Sequence, residues 1–145
     1  MNIPTSLDDN LIYQIGEISR LVHKRVTEIF DERKFDVTVE QFGILAMLWY
    51  EEGVKQQDIA DKLKRNKATI TRIIENMMKR NLIVQIPDQL DKRNKLIYLT
   101  QKGKLLQKEM VESSGMVYYQ VLNKIDAKEI SVVLEVLKQM KINLK

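Results

Sequence analysis

The stretch Gln56–Arg80, QQDIADKLKRNKATITRIIENMMKR, decides the fold of this chain. It holds two helical patterns, Gln56–Leu63 and Lys67–Arg80, which are separated only by the short turn Lys64–Asn66. Asn66 is a typical helix N-cap, because its side-chain oxygen can accept a backbone N–H from the first turn. Two helices joined by so short a turn indicate a helix-turn-helix, whose second helix can enter the major groove of duplex DNA.

The second helix has an apolar face and a polar face. At about 100° per residue, four apolar residues fall on one side and predict a core stripe: Ile70, Ile73, Ile74 and Met77. The opposite side offers a guanidinium for guanine edges, hydroxyl and amide groups, and a small side chain that permits close approach. The predicted DNA-reading face is Ala68, Thr69, Thr71, Arg72 and Asn76. Phosphate contacts at the N-terminal end of the helix are predicted for Arg65 and Lys67.

A β-hairpin is predicted directly after this helix. Leu82–Ile86 and Leu96–Leu99 are typical of short strands, and the loop 87–95 between them is polar and basic. Such a wing can reach the minor groove, where a narrow groove concentrates negative potential. The predicted wing contacts to DNA are Lys92, Arg93 and Lys95. The carboxylate of Asp91 either orients the guanidinium of Arg93 or only balances local charge.

Positive charge is concentrated in this part of the chain. The net charge is +4 overall, but Lys55–Lys104 holds 13 Lys or Arg against 5 Asp or Glu, whereas the rest has 11 basic and 15 acidic residues. This asymmetry favours a module that meets a polyanion, held on a scaffold that does not. An ordinary solvated surface is the alternative interpretation.

Composition argues against several other classes. The chain has no cysteine and one histidine, so disulfides, thiolate metal sites and multi-histidine sites are excluded. No Ser/His/Asp set, glycine-rich phosphate loop or metal-ligand spacing is present, which predicts no enzyme, no cofactor and no metal. No apolar run approaches the ~20 residues of a membrane span, and Met1–Asn10 lacks the features of a signal peptide. We therefore expect a cytoplasmic protein without membrane contact.

Four further helices flank the motif. Apolar residues at every third or fourth position predict a first helix over Ser6–Arg33 with Ser6 as its N-cap. Thr38 and Asp126 each open a capping-box pattern and Thr100 is a typical N-cap, so three more helices are predicted to begin there. The predicted ends of the second and fifth helices are Gly53 and Lys124. The fold class is mainly α (α+β), a winged helix-turn-helix in the order ααααββαα.

The apolar stripes of the first and last helices exceed what the winged lobe can cover. A first helix of this length cannot bury its stripe inside so small a monomer, so a second subunit is predicted to cover it. We divide the chain into an N-terminal dimerisation helix (1–35), a winged DNA-binding lobe (36–100) and C-terminal dimerisation helices (101–145). A two-fold dimer would place its recognition helices about 34–36 Å apart, one turn of DNA.

These motifs, in this order, resemble the MarR (multiple antibiotic resistance regulator) family. The matching segments are Thr38-x-x-Gln-Phe-x-x-Leu, Gln56-x-Asp-Ile-Ala-x-x-Leu, Asn66-Lys-Ala-Thr-Ile-Thr-Arg, and Asp91-x-Arg93 followed by Leu99-Thr-x-x-Gly103. The resemblance covers nearly the whole chain. It implies a homodimer that binds a pseudo-palindromic operator in double-stranded DNA. It also implies repression relieved by a small aromatic or phenolic effector that binds between the dimer helices and the DNA lobe.

Three positions depart from the family pattern. Lys55 stands where a Thr or Ser often caps a helix, Asn81 where a Gly is common, and Asn94 where Arg or Asp is frequent. Asn81 changes little, since asparagine tolerates the left-handed conformation that ends a helix. The absence of cysteine excludes the family's peroxide-sensing branch.

An effector pocket is expected between the first helix, Phe42–Glu51 and the fifth helix. Its candidate residues are Tyr13, Arg20, His23, Trp49 and Tyr118. For each of them, ordinary packing or surface exposure is the alternative. For the whole chain, the alternative function is a non-catalytic winged helix that serves as a protein-interaction scaffold.

Overall fold

The computed structural model describes residues 3–145, which form six α-helices and three β-strands. The first two residues of the predicted segment 1–35 lie outside the described residues. The elements are α1 Leu11–Glu32, α2 Val39–Tyr50, β1 Val54–Lys55, α3 Gln56–Leu63, α4 Lys67–Lys79, β2 Ile83–Pro87, β3 Lys95–Leu99, α5 Gln101–Val121 and α6 Ala127–Asn143. The predicted fold class and the order of its helices and hairpin are confirmed. The structure adds β1, which is too short for a sequence pattern to indicate.

The three strands form one antiparallel sheet in the order β1-β3-β2. β2 and β3 pair from Ile83 opposite Leu99 to Pro87 opposite Lys95, and Val54 of β1 lies opposite Ile97. Gly53 precedes β1 with a φ of 71°, and a Cβ at this position would stand 2.8 Å from the Tyr98 hydroxyl oxygen. The positive φ therefore disfavours any side chain here, where α2 passes into the sheet that carries the wing.

The first helix begins later than predicted. Its N-cap is Asn10, whose side chain accepts the N–H of Tyr13 at 3.0 Å. The predicted cap, Ser6, instead donates its hydroxyl to the Asp9 carboxylate at 2.7 Å and accepts the Asp9 N–H at 3.2 Å. These bonds close a turn ahead of the helix, so the predicted start was wrong.

The other helix starts agree with the sequence, but three ends are shorter. Thr38 and Asp126 each make a complete capping box, and Thr100 accepts the N–H of Gly103 at 3.0 Å. Lys55 precedes α3 without any side-chain cap bond, as its residue type implies. The predicted ends Gly53, Arg80 and Lys124 are replaced by Tyr50, Lys79 and Val121.

Most of the core lies in the winged lobe, and Ile29, Phe30, Met110 and Val117 extend it into α1 and α5. The predicted stripe of α4 is buried, and it packs with fully buried residues of the neighbouring elements: Ile44, Leu48, Ile59, Leu82, Ile83 and Ile97. Each such side chain stabilises the fold by about 1.5–3 kcal/mol relative to exposure. By contrast, α1 buries only Ile29 and Phe30, and α6 buries none of its residues. The lobe is thus a packed body, whereas the helices at the two ends keep most of their apolar surface exposed.

Candidate nucleic-acid interface

The turn before α4 presents the N-terminus of that helix to solvent. Lys64 reverses the chain in the left-handed region with a φ of 51°, and the N–H of Arg65 donates to the Ala60 carbonyl at 3.1 Å. Asn66 then caps α4, because its side-chain oxygen accepts the N–H of Thr69 at 2.8 Å. The predicted cap is confirmed, and the positive end of the helix is left open to an anion.

The outer face of α4 carries the residues proposed from sequence to read DNA. Ala68, Arg72 and Asn76 are exposed, while Thr69 and Thr71 are half-buried. The Arg72 guanidinium has no hydrogen-bond or ion-pair partner within residues 3–145. It is therefore free to form the forked pair of hydrogen bonds that suits a guanine edge.

Unlike Arg72, Arg65 has an ion-pair partner within the protein. Its guanidinium lies 3.6 Å from the Glu40 carboxylate of α2, and both side chains are partly exposed. An exposed ion pair of this kind is weak. Arg65 can therefore exchange Glu40 for a phosphate at little cost.

A relay of amide groups connects the wing to the recognition helix. The Nε2 of Gln85 on β2 donates to the Oε1 of Gln56 at 2.7 Å, and the Nε2 of Gln56 donates to the Thr71 hydroxyl at 2.8 Å. The Thr71 oxygen accepts in this chain, so its own hydrogen remains available to a base or phosphate. Sequence reasoning missed both glutamines, because partners this far apart in sequence leave no local pattern.

The tip of the wing holds Arg93 in a defined orientation. Its Nε and Nη2 atoms donate to the two carboxylate oxygens of Asp91 at 3.0 and 3.1 Å, and its backbone N–H donates to the same carboxylate at 3.1 Å. The side-chain hydrogen bonds from Arg93, followed by the backbone one, hold the pKa of Asp91 below its ordinary value. The Arg93 side chain is 90% exposed, so the pair is displayed and not buried.

The recognition helix and the wing enclose a basic groove of about 450 Å³. Predicted contact residues from both elements line it: Lys67, Thr71, Arg93 and Lys95. Lys55 and Asn94 also line it, with Glu75 as its one acidic lining residue. The remaining predicted DNA contacts lie outside the groove lining: Arg65, Ala68, Thr69, Arg72, Asn76 and Lys92. The groove has the size and charge to receive a sugar-phosphate backbone.

A second cavity, of about 460 Å³, lies between α1 and residues 35–42. Of the predicted effector residues, only His23 lines it. Tyr13, Trp49 and Tyr118 are exposed outside this lining, and the Arg20 guanidinium donates two hydrogen bonds of 3.1 Å to Glu17. The cavity thus shares α1 and Phe42 with the expected pocket. Its second wall is formed by residues 35–42, and no residue of α5 lines it.

The described part of the chain, residues 3–145, contains no group of histidine, aspartate and glutamate side chains arranged to hold a metal ion. None of its helices combines the length and the apolar composition needed to cross a membrane.

The fold and the basic groove define a winged helix-turn-helix protein. The family model described as MarR family matches residues 37–95 of the chain. The organic hydroperoxide resistance transcriptional regulator of Bacillus subtilis (strain 168) is 27% identical over 111 residues, 77% of this chain and 74% of its own length. The HTH-type transcriptional regulator MgrA of Staphylococcus aureus is 25% identical over 113 residues, covering 77% and 76%. The winged lobe of the chain is thus similar to the MarR family, and the two curated relatives are transcriptional regulators.

Solved structures show the same fold over almost the whole chain. CouR from Rhodococcus jostii RHA1, in a structure with bound p-coumaroyl-CoA, superposes with a TM-score of 0.82 at 20% identity, covering 94% of this chain and 95% of CouR. A structure of CouR bound to a 23-mer DNA duplex superposes with a TM-score of 0.76 at 17% identity, covering 97% and 99%. The likeness therefore extends to the helices on both sides of the lobe.

Proposed function

We propose that the chain is a homodimeric, sequence-specific repressor that binds a pseudo-palindromic operator and is released by a small-molecule effector. The observation that carries the proposal is the unpaired Arg72 on the exposed face of α4, beside a basic groove shared with the wing. Basic side chains concentrated on one side of a protein are typical of a surface that binds a polyanion.

Each half of the interface has a separate role in the proposal. The face Ala68, Thr69, Thr71, Arg72 and Asn76 reads bases in the major groove, while Arg65 and Lys67 bind phosphates. Lys92, Arg93 and Lys95 bind the minor groove and its backbone, with Asp91 orienting Arg93. The structure of CouR bound to a 23-mer DNA duplex, which has the same fold, supports this use of the lobe.

Dimerisation is assigned to residues 1–35 and 101–145, with 36–100 as the DNA-binding lobe. Apolar side chains of α6 that are about half or more exposed support this assignment: Val132, Val133, Leu134 and Ile142. Leu11 and Ile12 of α1 are similarly exposed. Exposed apolar surface on this scale is typical of an interface, and a two-fold axis would pair one lobe with each operator half-site.

The effector is assigned to the cavity between α1 and residues 35–42. This position joins a dimerisation helix to the start of the lobe, so occupancy can alter the spacing of the two recognition helices. CouR is described with p-coumaroyl-CoA bound, which supports a ligand response in a protein of this fold. His23 is the one residue of the predicted effector set in the lining.

The proposal is tested by selecting bound sites from random duplex DNA with the full chain. We expect one motif with two inverted half-sites about one helical turn apart, and affinity that falls steeply with salt. A sequence-independent profile would contradict the proposal. A chain that binds no DNA at low salt and co-purifies with a protein would instead be an interaction scaffold.

A further inference from the structure

We propose that the cavity between α1 and residues 35–42 selects a lipophilic organic cation, an aromatic molecule that carries one positive charge. The inference names the ligand class of the effector site, and it rests on the proposed function only for the consequence on DNA binding.

One wall of the cavity is built from two parallel rows on α1. Residues four positions apart lie along the same side of a helix. The first row is apolar: Ile18, Val22, Val26 and Phe30. The adjacent row is polar: Ser19, His23, Thr27 and Asp31. The opposite wall is apolar throughout: Phe35, Val37, Val39 and Phe42. A ligand that fits here has an apolar body and one polar end.

Three phenylalanines meet at one end of the cavity. The ring centroid of Phe30 lies 5.5 Å from that of Phe35 and 4.8 Å from that of Phe42, both pairs edge to face. The faces of such rings carry partial negative charge and attract cations. At about 460 Å³ the cavity is within the range of sites for small organic ligands.

The charge of the residues that line the cavity indicates the sign of the ligand's charge. Asp31 is the one acidic side chain in the lining, which contains neither lysine nor arginine. The Asp31 carboxylate has no ion-pair or hydrogen-bond partner within residues 3–145. Two arginines close to it in sequence have partners elsewhere: Arg25 lies 3.3 Å from Glu28, and Arg33 donates to the Met116 sulfur at 3.7 Å. An anionic ligand would face Asp31, with His23 as the one lining side chain able to carry positive charge, whereas a cation would pair with Asp31.

The test uses two probes with the same ring system and opposite charge, 1-naphthylmethylammonium and 1-naphthylacetate. Isothermal titration calorimetry with the full chain, free of DNA, should show the ammonium binding about two- to fivefold more tightly, as one exposed ion pair provides. Asp31→Asn should remove this preference. Glu109→Gln, which neutralises an exposed carboxylate on α5, is the matched control and should leave both affinities unchanged.

Other outcomes would overturn the assignment. Equal affinities, tighter binding of the naphthylacetate, or an Asp31→Asn variant that keeps the preference would each contradict it. Val22→Phe should fill the cavity and abolish binding of both probes, while circular dichroism checks that the variant is folded. If neither probe binds, the proposal fails, and a changed sedimentation coefficient of Val22→Phe would then indicate that a second copy of the chain covers the cavity. If the ammonium binds but does not release operator DNA, the proposed effector response is wrong. The proposed ligand class is still supported by that result.

Discussion

At the scale of single residues, Arg72 and Arg93 differ in whether the guanidinium already has a partner within the protein. Arg72 is unpaired on the outer face of α4, whereas Arg93 is already held by Asp91 at the wing tip. A free guanidinium can form a forked bond to guanine, while a pre-oriented one loses less freedom when it meets a groove. The two residues should therefore affect DNA binding differently.

Arg72→Lys keeps the charge but removes the fork. We expect it to reduce discrimination at one base pair of each half-site by about 1–3 kcal/mol and to leave non-specific binding nearly unchanged. Competition binding against single-base operator variants measures this. Arg20→Lys, the same change on α1, is the control. An unchanged base preference would show that Arg72 does not read DNA.

The Asp91–Arg93 pair has a defined pH dependence. Since the pKa of Asp91 is lowered in the folded protein, chiefly by its hydrogen bonds from the Arg93 side chain, the pair stabilises the wing at higher pH. That contribution is lost as the pH falls through the lowered pKa. Carboxyl carbon NMR should show the Asp91 midpoint rising in Arg93→Ala and staying in place in Lys92→Ala. A midpoint that ignores Arg93→Ala would contradict the pairing.

At the scale of elements, the start of α5 is pressed against the end of α4. The Thr100 hydroxyl donates to the Asn81 carbonyl at 2.6 Å, and a Cβ on Gly103 would stand 1.9 Å from the Leu82 carbonyl oxygen. Asn81 ends the recognition helix in the left-handed region with a φ of 57°. These contacts fix the position of the C-terminal end of α4 relative to the start of α5.

Two glycines of α5 should respond in opposite directions to alanine. Gly103→Ala should destabilise the protein by at least about 1–3 kcal/mol, because backbone must move to admit the methyl group. Gly115→Ala has no neighbouring atom within 4 Å and should stabilise it by about 0.5–1 kcal/mol. Urea unfolding at one fixed protein concentration compares them, since a dimer's stability depends on concentration. Equal stabilities would refute the close contact.

The amide relay couples α3, α4 and β2. Gln56→Ala removes both of its hydrogen bonds, each worth about 0.5–1.5 kcal/mol, and should weaken operator binding roughly tenfold. Fluorescence anisotropy with labelled operator DNA measures the change. Gln139→Ala, whose amide bonds only to Asn143 of its own helix, is the control. Equal affinities of the two variants would mean that the relay does not position the wing.

At the scale of the whole molecule, the lobe is packed but α6 is not. Leu134 lies on the apolar side of α6 and is 51% exposed, while Ser131 lies on its polar side. Leu134→Lys should shift the protein toward monomer in sedimentation experiments and weaken operator binding, because two linked lobes bind more tightly than one. Ser131→Lys should do neither. A Leu134→Lys protein that stays dimeric would show that Leu134 does not lie in the dimer interface.

The sequence by itself determined the recognition helix, its cap at Asn66, the wing and the buried face of α4. These features follow from capping bonds and hydrophobic periods that act over a few neighbouring residues, so they can be inferred before the chain is folded. The same rules placed Arg72 on the outer face and Arg93 next to Asp91.

Only the tertiary structure decided the start of α1, the strand β1, the amide relay and the wall of the cavity. Gln56 lies 15 positions from Thr71 and 29 from Gln85, so their contacts depend on how helices and strands pack and leave no local signal. The cavity likewise needed the path of residues 35–42, which no local sequence pattern indicates. Local chemistry thus defines the surface proposed to read DNA, whereas packing between distant segments defines the cavity proposed to regulate it.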